Sequence, residues 1–341
     1  MTELEAGDTR PVADRELLER AQGVLLGQLT GDALGSQVEF VRGDDLRRRY
    51  PNGLREIGPS PVWNTMAGQP TDESEMALAL THTLLRDGNF AQESVLGAYV
   101  AWLDSGPFDI GRTIRAGLHP ALQAVPHERL AVVKGKANKE SQANGALMRQ
   151  SPLAIWGYCL PAVELDMMVR ADTILTHPHR ICQDASAAFV VALAAAIRGG
   201  LNAKKTHNVA LEWSADHGSS PEVTKVLEAA CDSRPDYERL AGWVLVALQN
   251  AFFQALHAKS FEEGLVDTVM GGGDTDTNAA IAGALLGGIC GVGAIPPQWS
   301  EAVLTCRPEL GAPGVHQPRP KAFWSIDALN LAEQLVRGEP R

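Results

Sequence analysis

The sequence predicts an all-α protein, a single large multi-helix bundle. Three observations predict it. Apolar residues recur at helical spacing in segment after segment, whereas runs of alternating β-branched residues bounded by hairpin turns are nearly absent. The connections between these segments are short, as between packed helices. No break in composition marks a linker, so one domain is expected over 16–338, behind a flexible leader at 1–15.

From Glu16, the apolar positions Leu17, Leu18, Ala21, Val24, Leu25 and Leu29 define a first helix. Residues 41–70 read as irregular, because Pro51, Gly53, Gly58, Pro59, Pro61, Gly68 and Pro70 interrupt any period. Helices are expected at 75–85, 92–103 and 113–118. Residues 119–140, with Lys134, Lys136 and Lys139, read as a mobile basic surface loop. Further helices are expected at 146–156, 162–175, 183–197, 221–230, 242–256, 261–270, 279–290 and 324–336. Trp102, Trp156, Trp213 and Trp243 fall in or beside apolar segments and read as core.

The 341 residues are 45% hydrophobic and 21% charged, a composition that packs a core rather than staying disordered. Thirty Lys and Arg against 41 Asp and Glu leave a net charge of −11. Such a surface lacks the basic footprint of a nucleic-acid or anionic-membrane binder, so neither partner is expected. Five cysteines, at 159, 182, 231, 290 and 306, form no CxxC pair. That excludes a disulfide framework and the usual zinc spacings, and fits a reducing cytoplasm. The first twenty residues carry no apolar signal-like run. The segment 278–295 is long and apolar but rich in Ala and Gly, so it is expected to be a core helix rather than a membrane span.

Two acidic turns stand out. In Gly271-Gly272-Gly273-Asp274-Thr275-Asp276-Thr277, three glycines let the backbone approach other groups closely, ahead of a very apolar helix. Asp274, Asp276 and Thr277 offer hard oxygen donors suited to Mg²⁺, Mn²⁺ or Ca²⁺. Thr71-Asp72-Glu73-Ser74-Glu75 has the same character: a turn, a threonine with two carboxylates, then an apolar helix. Each turn also has the chemistry of a helix N-cap. If the fold brings them together, Asp72, Glu73, Asp274 and Asp276 repel one another unless cations lie between them. Two divalent ions about 3.5–4 Å apart would neutralise such a cluster.

Three weaker signals accompany them. Glu39 follows a stretch of small residues and sits among Val38, Phe40 and Val41, where it is either a surface acid or a carboxylate with a pKa raised by burial. Asn144, Gly145, Ala146 and Met148 belong to a small-residue turn entering a helix, a place where free N–H groups can meet an anion. His177, in Thr176-His177-Pro178-His179, reads as a ligand-contacting or capping histidine rather than a metal ligand.

In this order, these elements resemble the ADP-ribosylglycohydrolase family. The matching pieces are GVLLGQLTGDALGSQVEF (23–40), GQPTDESEMALAL (68–80), SGPFDIGRTIRAGL (105–118), SQANGALMRQSPLAIW (141–156), THPHRICQDASAA (176–188) and GGGDTDTNAAIAGALLGGICG (271–291). The resemblance implies an all-α fold, two Mg²⁺ or Mn²⁺ ions, and hydrolysis of the bond joining ADP-ribose to a modified side chain, often arginine. It places Thr71, Asp72 and Glu73 in one ligand group and Asp274, Asp276 and Thr277 in the other. It puts Glu39 near the scissile ribose, and Asp109 at the cleft rim. It implies that Asn144, Gly145, Ala146, Met148, His177, Gly272 and Gly273 bind substrate. Two departures stand out. Glu73-Ser74 replaces the usual Asp-Thr, which bears on metal occupancy, and Arg112 stands where relatives often carry Asn, which bears on substrate choice.

Segments 62–80 and 105–118 further resemble bacterial immunity proteins against ADP-ribosyltransferase toxins. The partners so implied are an ADP-ribosylated protein and a cognate toxin. Protection could come from hydrolysis, or from occluding the toxin's active site without catalysis.

Overall fold

The chain folds as helices α1 (Arg15–Gly35), α2 (Gly43–Arg49), α3 (Asp72–Asp87), α4 (Gln92–Asp104), α5 (Arg112–Leu122), α6 (Arg129–Lys136), α7 (Ser151–Trp156), α8 (Ala162–Thr173), α9 (Arg180–Gly199), α10 (Ala203–Asp216), α11 (Pro221–Ala229), α12 (Val244–His257), α13 (Phe261–Met270), α14 (Thr275–Cys290), α15 (Pro297–Thr305) and α16 (Ala328–Arg337). This is seen in a computed structural model that describes residues 14–338. Among the described residues there is no strand, only three isolated bridges. Most of the expected leader lies outside the described residues. Its last two positions begin α1, where Asp14 caps the helix by accepting from the Leu17 N–H at 2.7 Å and Arg15 is the first helical residue.

At the centre, α1 lies antiparallel along α14. Gly23, Gly27, Gly31 and Gly35 recur every four residues and meet Gly287, Gly283, Ala279 and Thr275 in turn. A Cβ added at any of the four glycines would lie 2.1–2.4 Å from a carbonyl oxygen of α14. The backbones therefore touch, as ridges four residues apart allow only when side chains are absent. From Gly23 to Gly35 every residue of α1 is buried, and so is α14 from Thr275 to Gly288. This contact brings the end of α1 to the start of α14, so the segment through Asp32 and Glu39 lies beside Asp274–Thr277.

Several elements differ from expectation for identifiable reasons. Helices α3 and α14 begin at Asp72 and Thr275, earlier than apolar periodicity indicates, because their first turns are polar. Those first turns are the two acidic motifs. Within 41–70, α2 forms with Asp44 and Asp45 in its first turn and Arg47, Arg48 and Arg49 in its last, complementing the helix dipole around the single apolar anchor Leu46. The segment 119–140 is not a loop. It holds the end of α5, a 3₁₀ turn at Pro126–Glu128, and α6, whose Val133 is buried. Helices α10 and α15 were not evident in the sequence. The first is capped by Asn202, and the second starts at Pro297 and buries Trp299 and Val303 one turn apart. Trp243 is only partly buried, unlike Trp102, Trp156 and Trp213. The one described helix long and apolar enough to cross a bilayer is α9 rather than 278–295, and 83% of its apolar window is buried inside the protein. All five cysteines are free thiols.

Candidate metal centre and cleft

The first turns of α3 and α14 meet. Thr277 Oγ1 lies 2.6 Å from Glu73 Oε1, and Thr71 Oγ1 lies 2.6 Å from Glu73 Oε2. The longer glutamate thus spans a threonine from each motif. Asp109, from the loop before α5, joins them. Ligand oxygens of Asp72, Glu73 and Asp109 lie within 4.8 Å of one another, as do those of Glu73, Asp274 and Asp276 and those of Glu39, Asp109 and Asp276.

Neighbouring elements hold the acids in place. The Gly111 N–H donates to Asp72 Oδ2 at 3.2 Å, and Asn144 Nδ2 donates to Asp274 Oδ2 at 2.8 Å. Glu39 Oε2 accepts from Trp63 Nε1 at 2.7 Å. Trp63 is fixed in turn by Gln317, whose Nε2 donates to its carbonyl at 3.1 Å, and its ring packs on Phe108 with centroids 6.1 Å apart. Glu75, the last acid of the first motif, faces away. It forms a buried pair with Arg319 at 2.7 and 2.8 Å and accepts from Trp102 Nε1.

Two polar residues of α1 organise this centre from below, and sequence reasoning assigned neither a role. Asp32 accepts from the Thr71 N–H and the Ser74 N–H and lies 2.5 Å from Thr71 Oγ1, so it caps α3 from inside the protein. Gln28 donates to the carbonyls of Glu73 and Met148 at 3.1 and 3.0 Å. Their signal was present: two polar residues one turn apart in the stretch 23–35 of α1, whose other residues are small or apolar.

The electrostatics follow from this crowding. Burial, and then the charge of Glu73, push Asp32 up to about 8. Burial, then Glu73 and Asp274, push Glu39 up to about 8. Burial, then Glu73 and Glu39, raise Asp109 to about 9. Asp72 and Asp276 are held well above the ordinary range, chiefly by burial. Glu73 is raised by burial against hydrogen bonds from Thr277 and Thr71. A further mark is Asp276 Oδ2, which is buried with no hydrogen-bond partner among the described residues. An orphaned carboxylate oxygen inside an all-oxygen acidic cluster fits a hard divalent cation.

Glu39, Asp72, Glu73, Asp109, Asp274 and Thr277 line one cleft, together with Asn144, Gly145, Met148, His177 and Arg112. Thr71 and Asp276 are buried beneath it. Ala146, Gly272 and Gly273 are not in its lining. The two glycines instead hold the backbone beside Glu39: both have positive φ, at 79° and 75°, and the Phe40 N–H donates to Gly273 O at 2.7 Å. A Cβ at Gly273 would lie 2.1 Å from Tyr237 O. Phe40 itself has φ of 57° and is 66% exposed at the cleft mouth.

The profile of the ADP-ribosylglycohydrolase family matches residues 13–336. The chain is 29% identical over 282 residues to the ADP-ribosyl-dinitrogen reductase glycohydrolase of Rhodospirillum rubrum, covering 82% of this chain and 89% of that one. It is 28% identical over 334 residues to the ADP-ribosylarginine hydrolase Tri1 of Pseudomonas putida strain GB-1, covering 96% and 80%. A solved ADP-ribosylglycohydrolase-related protein complex shares the fold with a TM-score of 0.73 at 26% identity, over 95% of this chain and 99% of that one. With the family match running through nearly all of the described chain, this protein belongs to the ADP-ribosylglycohydrolase family.

Proposed function

We infer that the protein is a divalent-metal-dependent hydrolase that removes ADP-ribose from modified arginine side chains of proteins. The observation that carries this reading is the joining of the two acidic turns beside Glu39 and Asp109 in one cleft. Thr71, Asp72 and Glu73 hold metal from one side, and Asp274, Asp276 and Thr277 from the other. Bound there, two Mg²⁺ or Mn²⁺ ions supply Lewis-acid polarisation of ribose hydroxyls and water.

The chain's own residues do the rest. Glu39, beside the cluster and held by Trp63, is the first candidate to pass a proton to a leaving guanidine nitrogen. Asp109 faces the same space and is the second candidate for proton transfer. Asn144, Gly145, Met148 and His177 line the cleft and bind the nucleotide, while Ala146, Gly272 and Gly273 shape the turns behind it.

The protein works in the cytoplasm as an immunity protein, a role that rests on the resemblance of segments 62–80 and 105–118. The test is incubation with an arginine-ADP-ribosylated protein, with chelator and with added Mg²⁺ or Mn²⁺. Release of free ADP-ribose only with metal supports the reading. Tight ADP-ribose binding without release under any metal would instead indicate protection by occlusion of the toxin.

A further inference from the structure

Beside the acidic centre, the cleft holds one histidine whose hydrogen is placed from behind. His177 is fully buried, and its Nε2 has no hydrogen-bond partner among the described residues. Its Nδ1 lies 2.8 Å from Thr176 Oγ1, and that same oxygen lies 2.9 Å from Arg149 Nη1. A guanidinium only donates, so the threonine hydroxyl accepts from Arg149. Its single proton then has one acceptor in hydrogen-bond reach among the described residues, Nδ1 of His177. Donation of that proton to Nδ1 leaves Nδ1 bare, and a neutral ring then carries its hydrogen on Nε2.

Arg149 cannot turn away from this duty. It is fully buried, with Nε on Asp172 Oδ2 at 3.1 Å and Nη2 on the Asp172 carbonyl at 3.0 Å. Asp172 is held in turn by Tyr99 at 2.7 Å and Gln150 at 2.8 Å. Burial and the Arg149 charge push the His177 pKa down to about 3, so the ring stays neutral. On the open side stands Gly145, where a Cβ would lie 3.0 Å from His177 Cε1 and 3.3 Å from Nε2. Both residues line the cleft, and Gly145 sets no side chain against the Nε2 edge.

Resting on the hydrolase reading above, we propose that Arg149 and Thr176 are positioning residues that lock His177 as the Nε2–H tautomer, a neutral donor to an oxygen of bound ADP-ribose. A neutral donor can recognise an acceptor oxygen without being captured by the carboxylates across the cleft. Neither positioning residue touches the ligand in this arrangement.

The test is nitrogen NMR of the full chain labelled with ¹⁵N-histidine, with His177→Gln used to assign the signals. The expected spectrum has an unprotonated Nδ1 and a protonated Nε2, and ADP-ribose moves the Nε2 signal far more than the Nδ1 signal. Thr176→Val is expected to weaken ADP-ribose binding about tenfold and scramble the tautomer, with Mn²⁺ affinity unchanged. Thr176→Ser is expected to restore both. A protonated Nδ1 in the wild-type spectrum overturns the proposal even if Thr176→Val does not fold. So does Thr176→Val with wild-type signals and affinity. Either result alongside intact ADP-ribose binding removes this proposal alone, whereas a wild-type chain that binds no ADP-ribose removes the hydrolase reading as well.

Discussion

Thr277 and Glu73 stand 204 residues apart in the chain and 2.6 Å apart at their side-chain oxygens. That contact joins the first turns of α3 and α14 into one acidic centre. Removing a carboxylate from this centre is expected to cost metal, not fold. Asp276→Asn should lower ADP-ribose release by more than about 100-fold and weaken Mn²⁺ binding to match. The melting temperature of the chelated variant should equal or exceed that of the chelated wild type, because one member of a repelling cluster is gone. An ADP-ribose release assay, calorimetric Mn²⁺ titration and thermal melts check the three in turn.

The raised carboxyl pKa values set the pH dependence of the chelated protein. Asp32, Glu39 and Asp109 rise from ordinary values of 3.8, 4.5 and 3.8 to about 8, 8 and 9 in the folded state. Between those limits the folded chain holds protons that the unfolded chain has released. Their contribution is therefore fully present below about pH 4 and lost as pH rises through 8 to 9. The chelated protein should melt lower at pH 9 than at pH 6. Added Mg²⁺ or Mn²⁺ should raise the melting temperature more at pH 9, since a cation displaces these protons.

The hydrogen bond from Trp63 Nε1 to Glu39 can be removed while keeping an aromatic ring against Phe108. Trp63→Phe should lower kcat about tenfold with KM, Mn²⁺ affinity and melting temperature near wild type. Steady-state kinetics on an ADP-ribosylated peptide, with a Mn²⁺ titration and a thermal melt, separate this outcome from a general loss of structure, which would move all four.

The crossing of α1 and α14 permits no side chain at its centre. Gly31→Ala places a Cβ 2.1 Å from Ala279 O and should destabilise the protein by about 1–3 kcal/mol or more, despite alanine's higher helix propensity. Gly97→Ala, in α4 with nothing within 4 Å of its added Cβ, should stabilise by about 0.5–1 kcal/mol. Urea unfolding of the two variants measures the difference.

The helical class was legible because long amphipathic and apolar segments announce themselves, and α13 was bounded to the residue. What escaped notice was short and charged. In α2 and α6 a single buried side chain each, Leu46 and Val133, anchors a turn or two of polar helix, too little for a periodic signal. The acidic ligand candidates were legible because carboxylates beside turns at the start of apolar helices are unusual. Their supports were not: Gln28, Asp32 and Trp63 act only across long separations in the chain, and Arg149 was visible only as the end of a turn. Gly272 and Gly273 were read as touching substrate, but their backbone need arises from residues 40–43 and Tyr237, a contact that local sequence cannot reveal.

The central claim is that two distant acidic turns share hard divalent cations. A crystal of the wild-type protein grown with Mn²⁺ and measured for anomalous scattering tests it most directly. The account predicts anomalous peaks between residues 71–73 and 274–277, within coordination distance of Asp72 and Asp276. No peak there, with manganese bound elsewhere or not at all, would contradict it.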